Sequence, residues 1–324
     1  MNTVLARCSA VLLALCAVLG APPLLAQGYP SKPIRLIVPF SAGGLIDTMA
    51  RAIQPKVAEA LGQQVVIENR GGAGGTLAEA QVAKAQPDGY TVLFAGDAVA
   101  FNPHLYSGLP YELFRDLTPV SQIAIVPLAL VVPANLPVGT VQEFAAYVRA
   151  RPGQLSYASP GSGVSMFAAE IFKDLAHIDL TSGPYKGGGP ALIDVVGGQV
   201  HALFTSVFLV APQVKSGKLK ALAVASERRS PLLPETPTFA EAGYPDFVAG
   251  SWSGLLVPAG TPQSVIQRLH AEFARALHSP EVEARFRELG TEAIGSSPAQ
   301  FSALLKREYE TYGRLIRKLK ITVN

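Results

Sequence analysis

An α/β fold is predicted for this chain of 324 residues, and three observations carry the prediction. Residues 34–38, 65–67, 91–94, 128–132, 202–204, 221–224 and 255–257 are apolar runs of strand length without polar alternation. Strands covered on both faces, as in parallel sheets flanked by helices, have that pattern. Helix-patterned segments stand between them, at 47–61, 76–85, 141–149, 167–175, 190–196 and 262–277. Glycine-rich turns join several strands to the helices that follow, and alternation of this kind specifies an α/β architecture.

The elements follow in order. The helix at 262–277 carries Leu269, Phe273 and Leu277 on one stripe, with Pro262 suited to its first turn and Thr261 to its cap. Beyond it, 280–289 and 298–320 are helical, charged and free of strand pattern. Arg314, Arg317, Lys318 and Lys320 gather at the chain's end, where cations complement a helix dipole. Glu308 and Glu310 on the same stretch argue against a nucleic-acid or lipid site.

Length allows about two domains at ~100–200 residues each. With 49% apolar and 16% charged residues, global disorder is excluded. The 27 basic and 24 acidic residues give a net charge of +3, no footprint for nucleic acid. Residues 1–26 read as a signal peptide: Arg7 is the single charge, 10–20 a short apolar run, and Leu24-Leu25-Ala26 a cleavage site. The run is shorter than the roughly 20 residues a membrane span needs. Cys8 and Cys16 both lie within residues 1–26, so a mature chain without thiol, disulfide or cysteine metal site is expected. Export without stable membrane insertion follows.

The chemistry concentrates in the turns. Phe40-Ser41-Ala42-Gly43-Gly44, Asn69-Arg70-Gly71-Gly72-Ala73-Gly74-Gly75, Ser159-Pro160-Gly161-Ser162-Gly163 and Tyr185-Lys186-Gly187-Gly188-Gly189 each lead from a strand region into a helix. Glycine lets backbone approach a ligand, and a helix N-terminus beyond it offers free N–H groups. In open α/β sheets, ligands bind at the carboxyl ends of the strands. Catalytic motifs are missing. Gly72-x-Gly74 meets Leu77 where a dinucleotide fingerprint needs glycine, and Gly217-Lys218 is followed by Leu219. Gly250-Ser251-Trp252-Ser253-Gly254 has tryptophan where a nucleophile elbow has serine. His104, His177, His201, His270 and His278 have no metal-binding spacing.

These loops carry a family resemblance. Tyr29-Pro30-Ser31-Lys32-Pro33-Ile34-Arg35, Val38 through Gly44 with Asp47, Glu68 through Gly75, Pro87-Asp88-Gly89-Tyr90-Thr91 and Asn102-Pro103-x-Leu105-Tyr106 resemble the Bug family, substrate-binding receptors of tripartite tricarboxylate transporters. Asp116 through Val120, Tyr157 through Gly163, Tyr185-Lys186-Gly187, Gly197-Gly198-Gln199-Val200, Pro234 through Thr238 and Val257 through Pro262 continue it in order. The resemblance implies a two-lobed periplasmic binding protein fold, type II-like, each lobe a sheet flanked by helices, with two crossings near residues 128–133 and 252–258. Domain 1 would comprise 27–127 and 253–324, and domain 2 would comprise 128–252. It further implies a small carboxylate held in the cleft by Phe40, Ser41, Ala42, Gly43, Gly44, Asp47, Gly72, Ala73 and Gly74 from the first lobe. Ser159, Gly161, Ser162, Gly163, Lys186, Gly187 and Gly188 would come from the second. Asp47 has a second reading as a helix cap paired with Arg51, and Lys186 as a solvated rim charge.

Departures from the family bear on specificity. Asp97 stands in a loop where hydroxyl donors are usual, and Leu45, Ile46 and Met166 add apolar bulk expected near the same cleft. If Asp97 faces the ligand, a solute with at most one carboxylate is expected; the alternative turns it away to cap the segment leading to Asn102. The expected function is a monomeric periplasmic receptor, without cofactor, metal or catalytic residue, delivering a small organic solute to transporter subunits in the membrane or to a sensor protein. A secreted hydrolase of small acids or esters, and a signalling partner that has lost ligand binding, are the rivals.

Overall fold

The computed structural model describes residues 28–160, 163–185, 188–245 and 247–321. The signal-peptide expectation therefore lies outside the described residues. The strands are β1 (Ile34–Val38), β2 (Val65–Asn69), β3 (Thr91–Gly96), β4 (Leu117–Pro133), β5 (Ser156–Pro160), β6 (Thr181–Tyr185), β7 (Ala202–Ser206), β8 (Leu219–Val224), β9 (Gly250–Pro258) and β10 (Glu292–Ala293). The helices are α1 (Leu45–Leu61), α2 (Thr76–Ala83), α3 (Ala98–Leu105), the single turn α4 (Leu113–Asp116), α5 (Val141–Arg149) and α6 (Val164–Ala176). They continue with α7 (Gly188–Val196), α8 (Val207–Lys215), α9 (Gln263–Leu277), α10 (Pro280–Glu288) and α11 (Pro298–Leu319). None of these is long and apolar enough to cross a membrane.

The strand order is β2-β1-β3-β9-β4-β7-β5-β6, with β8 and β10 also paired to β4. β1 is parallel to β2 and β3, as their continuous apolar runs predict, and β5 is parallel to β6 and β7. The central strands differ, because β9 runs antiparallel to both β3 and β4. A chain that leaves one lobe on β4 and returns on β9 must lay these two strands in opposite directions.

At 17 residues, β4 extends about 55 Å. Its first part, Leu117 to Pro127, pairs with β9, while Leu128 onward pairs with β7 and β8. Where the partners change, Leu128 N–H donates to the Ala249 carbonyl, Ala249 N–H to Ala225, and Ala225 N–H to Leu128. β4 thus exchanges β9 for β7 and β8 between Pro127 and Leu128, and β9 begins at Gly250. Residues 128–133 and 252–258, expected near the crossings, lie in β4 and β9 respectively.

Each lobe buries both faces of its sheet. In the first, α1, α9 and α10 supply Ile53, Leu269, Phe273 and Phe286 to one face, and Phe301, Leu305 and Tyr312 of α11 reach the other. In the second, Phe144, Phe172, Phe204, Phe239 and Phe247 fill one face, and Val195, Val207 and Val210 the other. Phe167 of α6 stacks on Tyr312 at 4.5 Å and meets Phe101 edge-on at 5.6 Å, so α6 packs against the first lobe.

Two local expectations are revised. Thr261 does not cap α9: its hydroxyl donates to the Pro258 carbonyl at 2.7 Å, and Pro262 takes the cap position without a side-chain acceptor. Met166, expected near the cleft, is buried with Phe167 in the core shared with α11.

Gly254 on β9 faces the Phe301 ring, with space for no side chain: a Cβ there would lie 2.3 Å from Phe301 Cζ. Phe301 is fully buried and packed edge-on to Trp252 at 5.2 Å, so it cannot yield. Gly254→Ala is predicted to destabilise the fold by about 1–3 kcal/mol, read as a lower urea midpoint with unchanged slope.

Candidate functional site

The carboxyl ends of β1, β2 and β3 bring three loops together. After β1, Phe40 leads into the exposed segment Ser41, Ala42, Gly43 and Gly44. Asp47, in the first turn of α1, holds that segment. Its carboxylate accepts from Gly43 N–H at 2.8 Å, Arg51 Nε at 2.9 Å and Asn69 Nδ2 at 2.9 Å, and Asn69 also donates to the Phe40 carbonyl at 3.0 Å. Burial pushes the Asp47 carboxyl up, but these hydrogen bonds and the Arg51 charge outweigh it and hold it below its ordinary value. Its three bonds go to the loop, to Asn69 and to Arg51, which supports the pairing with Arg51, while α1 carries no side-chain cap.

After β2, Gly72, Ala73 and Gly74 all take positive φ, at 128°, 46° and 65°. A side chain at Gly74 would come within 2.9 Å of the Tyr106 hydroxyl. The turn is held from α3: Asn102 Nδ2 donates to the Gly74 carbonyl at 3.1 Å and to Glu79 Oε1 at 3.0 Å. The Tyr111 hydroxyl donates to the same carboxyl. Burial pushes Glu79 up to about 7, against the pull of the Tyr111 and Asn102 hydrogen bonds.

After β3 stands Asp97, which precedes α3. A cleft cavity of about 400 Å³ is lined by Phe40, Gly74, Asp97, Ala98, Phe101 and Asn102 with Leu105 and Tyr106 on the first-lobe side. Gly163, Val164 and Ser165 line it from the start of α6, and Ser251 from β9 beside the crossing. The α6 N-terminus has Gly163 as its cap residue and no side-chain acceptor, leaving a positive dipole end at the cavity. Burial pushes the Asp97 carboxyl up to about 6, against hydrogen bonds from Ser251 and from the backbone N–H groups of Asp97 and Ala98.

Of the residues singled out from the sequence, the structure brings Phe40, Gly74, Asp97 and Gly163 to the cavity wall. Ser41 is exposed beside Gly71 and does not line the cavity. Ser159 is buried in β5, and Gly188 packs on Leu209 of α8. Gly161, Ser162, Lys186 and Gly187 lie outside the described residues. Leu45 is exposed and Ile46 packs toward Gly96, neither of them lining the cavity. Sequence reasoning missed Phe101, Asn102, Leu105, Tyr106 and Ser165 as lining residues. For Asn102, Leu105 and Tyr106 the signal was present in the Asn-Pro-x-Leu-Tyr motif. Ser251 belongs to the segment weighed as a nucleophile elbow, which is the start of strand β9.

Residues 49–321 match the family described as tripartite tricarboxylate transporter family receptor. The chain belongs to that family. BugT of Bordetella pertussis is 36% identical over 301 residues, covering 92% of each chain. A TctC solute binding protein from Polaromonas, solved with no ligand, superposes with a TM-score of 0.82 at 30% identity, covering 90% of this chain and 99% of that one. MatC from Rhodopseudomonas palustris, solved with bound malate, gives 0.65 at 35% identity over 89% and 100%. These neighbours are binding proteins, and a periplasmic location goes with the family.

The Glu79 network generates a pH prediction. Its folded value of about 7 lies above its unfolded value of 4.5, so its stabilising contribution is complete below pH 4.5 and is lost as pH rises through 7. Urea unfolding is predicted to show stability falling between pH 5 and 8, and Glu79→Gln to reduce that fall by an amount of order 2 kcal/mol.

Proposed function

We propose that this chain is an exported receptor that captures a small organic solute bearing a carboxylate in the cleft and delivers it to a tripartite tricarboxylate-type transporter or a sensor. The observation that carries the reading is the cavity wall itself. Loops from both lobes and the crossing strand line one cavity, and the uncapped N-terminus of α6 offers backbone N–H groups and a positive dipole end to an anion. Carboxylate binding in the malate-bound relative supports the same chemistry here. The domains on this reading are 27–127 with 253–324, and 128–252, after removal of residues 1–26; the receptor is a monomer in the periplasm.

The lobes close on the solute by bending at the paired crossings, the hinge motion of two-domain receptors. The positioning residues are Asp47, Asn69, Glu79 and Asn102, which shape the two glycine loops. On this reading Ser41, Ala42, Gly43, Gly44, Gly72 and Ala73 meet the solute from the first lobe once the cleft closes, with the Gly43 N–H kept on Asp47, and Ser159, Gly161, Ser162, Gly163, Lys186, Gly187 and Gly188 are the contacts proposed from the second.

A thermal-shift screen over organic acids, amides and aromatic acids tests the proposal, because binding to the native state raises stability by about 2.7 kcal/mol at a hundredfold excess over Kd. The expected result is stabilisation by one narrow chemical class with no turnover of the solute. Turnover would assign the cleft to a hydrolase, and no stabilisation by any member would favour a signalling role without ligand.

A further inference from the structure

The class of solute can be taken one step further, on the receptor reading just given. Asp97 sits on the cavity wall beside Phe40, Gly74 and Ser251. Its carboxyl receives the Ser251 hydroxyl and two backbone N–H groups, and among the described residues no cation contributes to its charge state. Behind it on α11 stands Glu308, which accepts from Trp252 Nε1 at 2.5 Å, is hydrogen-bonded to Tyr312 and feels the charge of Asp97. The Arg307 charge acts on Glu308. Burial carries Glu308 up to about 8 and Asp97 up to about 6, so near neutral pH this coupled pair keeps one proton and one negative charge. A second wall of the cavity is the N-terminal turn of α6, at Gly163, Val164 and Ser165, which is positive in character.

One cavity thus has an anionic patch and a separate anion-seeking end, with the apolar faces of Phe40, Phe101 and Leu105 among its other walls. We propose that the cleft selects a solute with a carboxylate at one end and a protonated amine at the other, joined by an apolar spacer, and that Asp97 is the residue specifying the amine. A dicarboxylate would set its second charge against Asp97, a like-charge contact in a partly desolvated site, and is rejected for that reason. A carboxylic acid with an uncharged tail leaves Asp97 without its partner and binds more weakly than the amino acid.

Calorimetric titration of the mature protein with matched sets decides the matter. The sets are 3-aminopropanoate, propanoate and succinate; 4-aminobutanoate, butanoate and glutarate; and 5-aminopentanoate, pentanoate and adipate. In at least one set the amino acid is expected to bind at least tenfold more tightly than both counterparts. Asp97→Asn, close to isosteric, should lose at least tenfold for that amino acid and gain affinity for its matched dicarboxylate. A second readout needs no variant. Amino-acid affinity of the unaltered protein should fall as pH drops through 6, where Asp97 takes up a proton. The facing groups on α11 and β9 do not reverse that sign, since Glu308 is already protonated there and Tyr312 and Ser251 stay neutral. A solute from the thermal-shift screen that carries two carboxylates and binds the unaltered protein and Asp97→Asn equally would overturn the inference and leave the receptor reading standing. Failure of every compound in both the screen and these sets would overturn both.

Discussion

Three backbone hydrogen bonds, joining Leu128, Ala225 and Ala249 around the point where the chain changes lobes, are the constraint on which the rest of the structure depends. They fix β4 and β9 side by side at the crossing, so the two sheets share a spine rather than a flexible tether. Each lobe has its own core on both faces of its sheet, and each sheet presents the carboxyl ends of its parallel strands to the gap. The spine decides where those ends meet. It also places Ser251, on the returning strand, directly in the cavity wall.

The loops at the gap are shaped by groups that do not themselves form most of the wall. Asp47 and Asn69 tie the first loop, while Asn102 and Glu79 tie the second, through hydrogen bonds between 2.8 and 3.2 Å. Such buried polar networks are costly when half satisfied and rigid when complete. Here they are complete, and they hold Gly72, Ala73 and Gly74 in the left-handed conformations that present backbone to the cleft. Beside them, Asp97 and Glu308 form a second, half-buried acidic pair, and the role proposed for Asp97 is to offer its charge to a ligand.

The parts of this arrangement that were legible in the sequence are those with strong local pattern. β1, β3 and α1 were readable because apolar period and flanking glycine agree. The first half of β4 was not, since Pro119, Ser121, Gln122 and Pro127 break the apolar run and the register shifts there. β6 was not either: Thr181-Ser182-Gly183-Pro184-Tyr185 is a half-exposed edge strand with no hydrophobic signal. α3 hid behind Pro103, and the antiparallel course of β9 is a long-range consequence of the second crossing that no local pattern encodes. At the cleft, the glycine turns announced themselves, whereas the supports did not. Glu79 and Asn102 lie 23 residues apart, and only the fold shows that one amide serves both the turn and the carboxyl. Met166 illustrates the reverse error, an apolar residue expected near the cleft that is instead buried in the core where Phe167 stacks on Tyr312.

The central claim is that the two lobes bend at the shared spine to close over a bound solute. Leu77 on α2 and Ile193 on α7 are exposed on opposite lobes, and the chain from Gln27 onward contains no cysteine, so spin labels can be placed at Leu77→Cys and Ile193→Cys alone. Pulsed electron-resonance distances between them, measured with and without a saturating solute from the screen, test the claim most directly. The account predicts a shift of the whole distribution to shorter distance when the solute is bound. An unchanged distribution at saturation would contradict it.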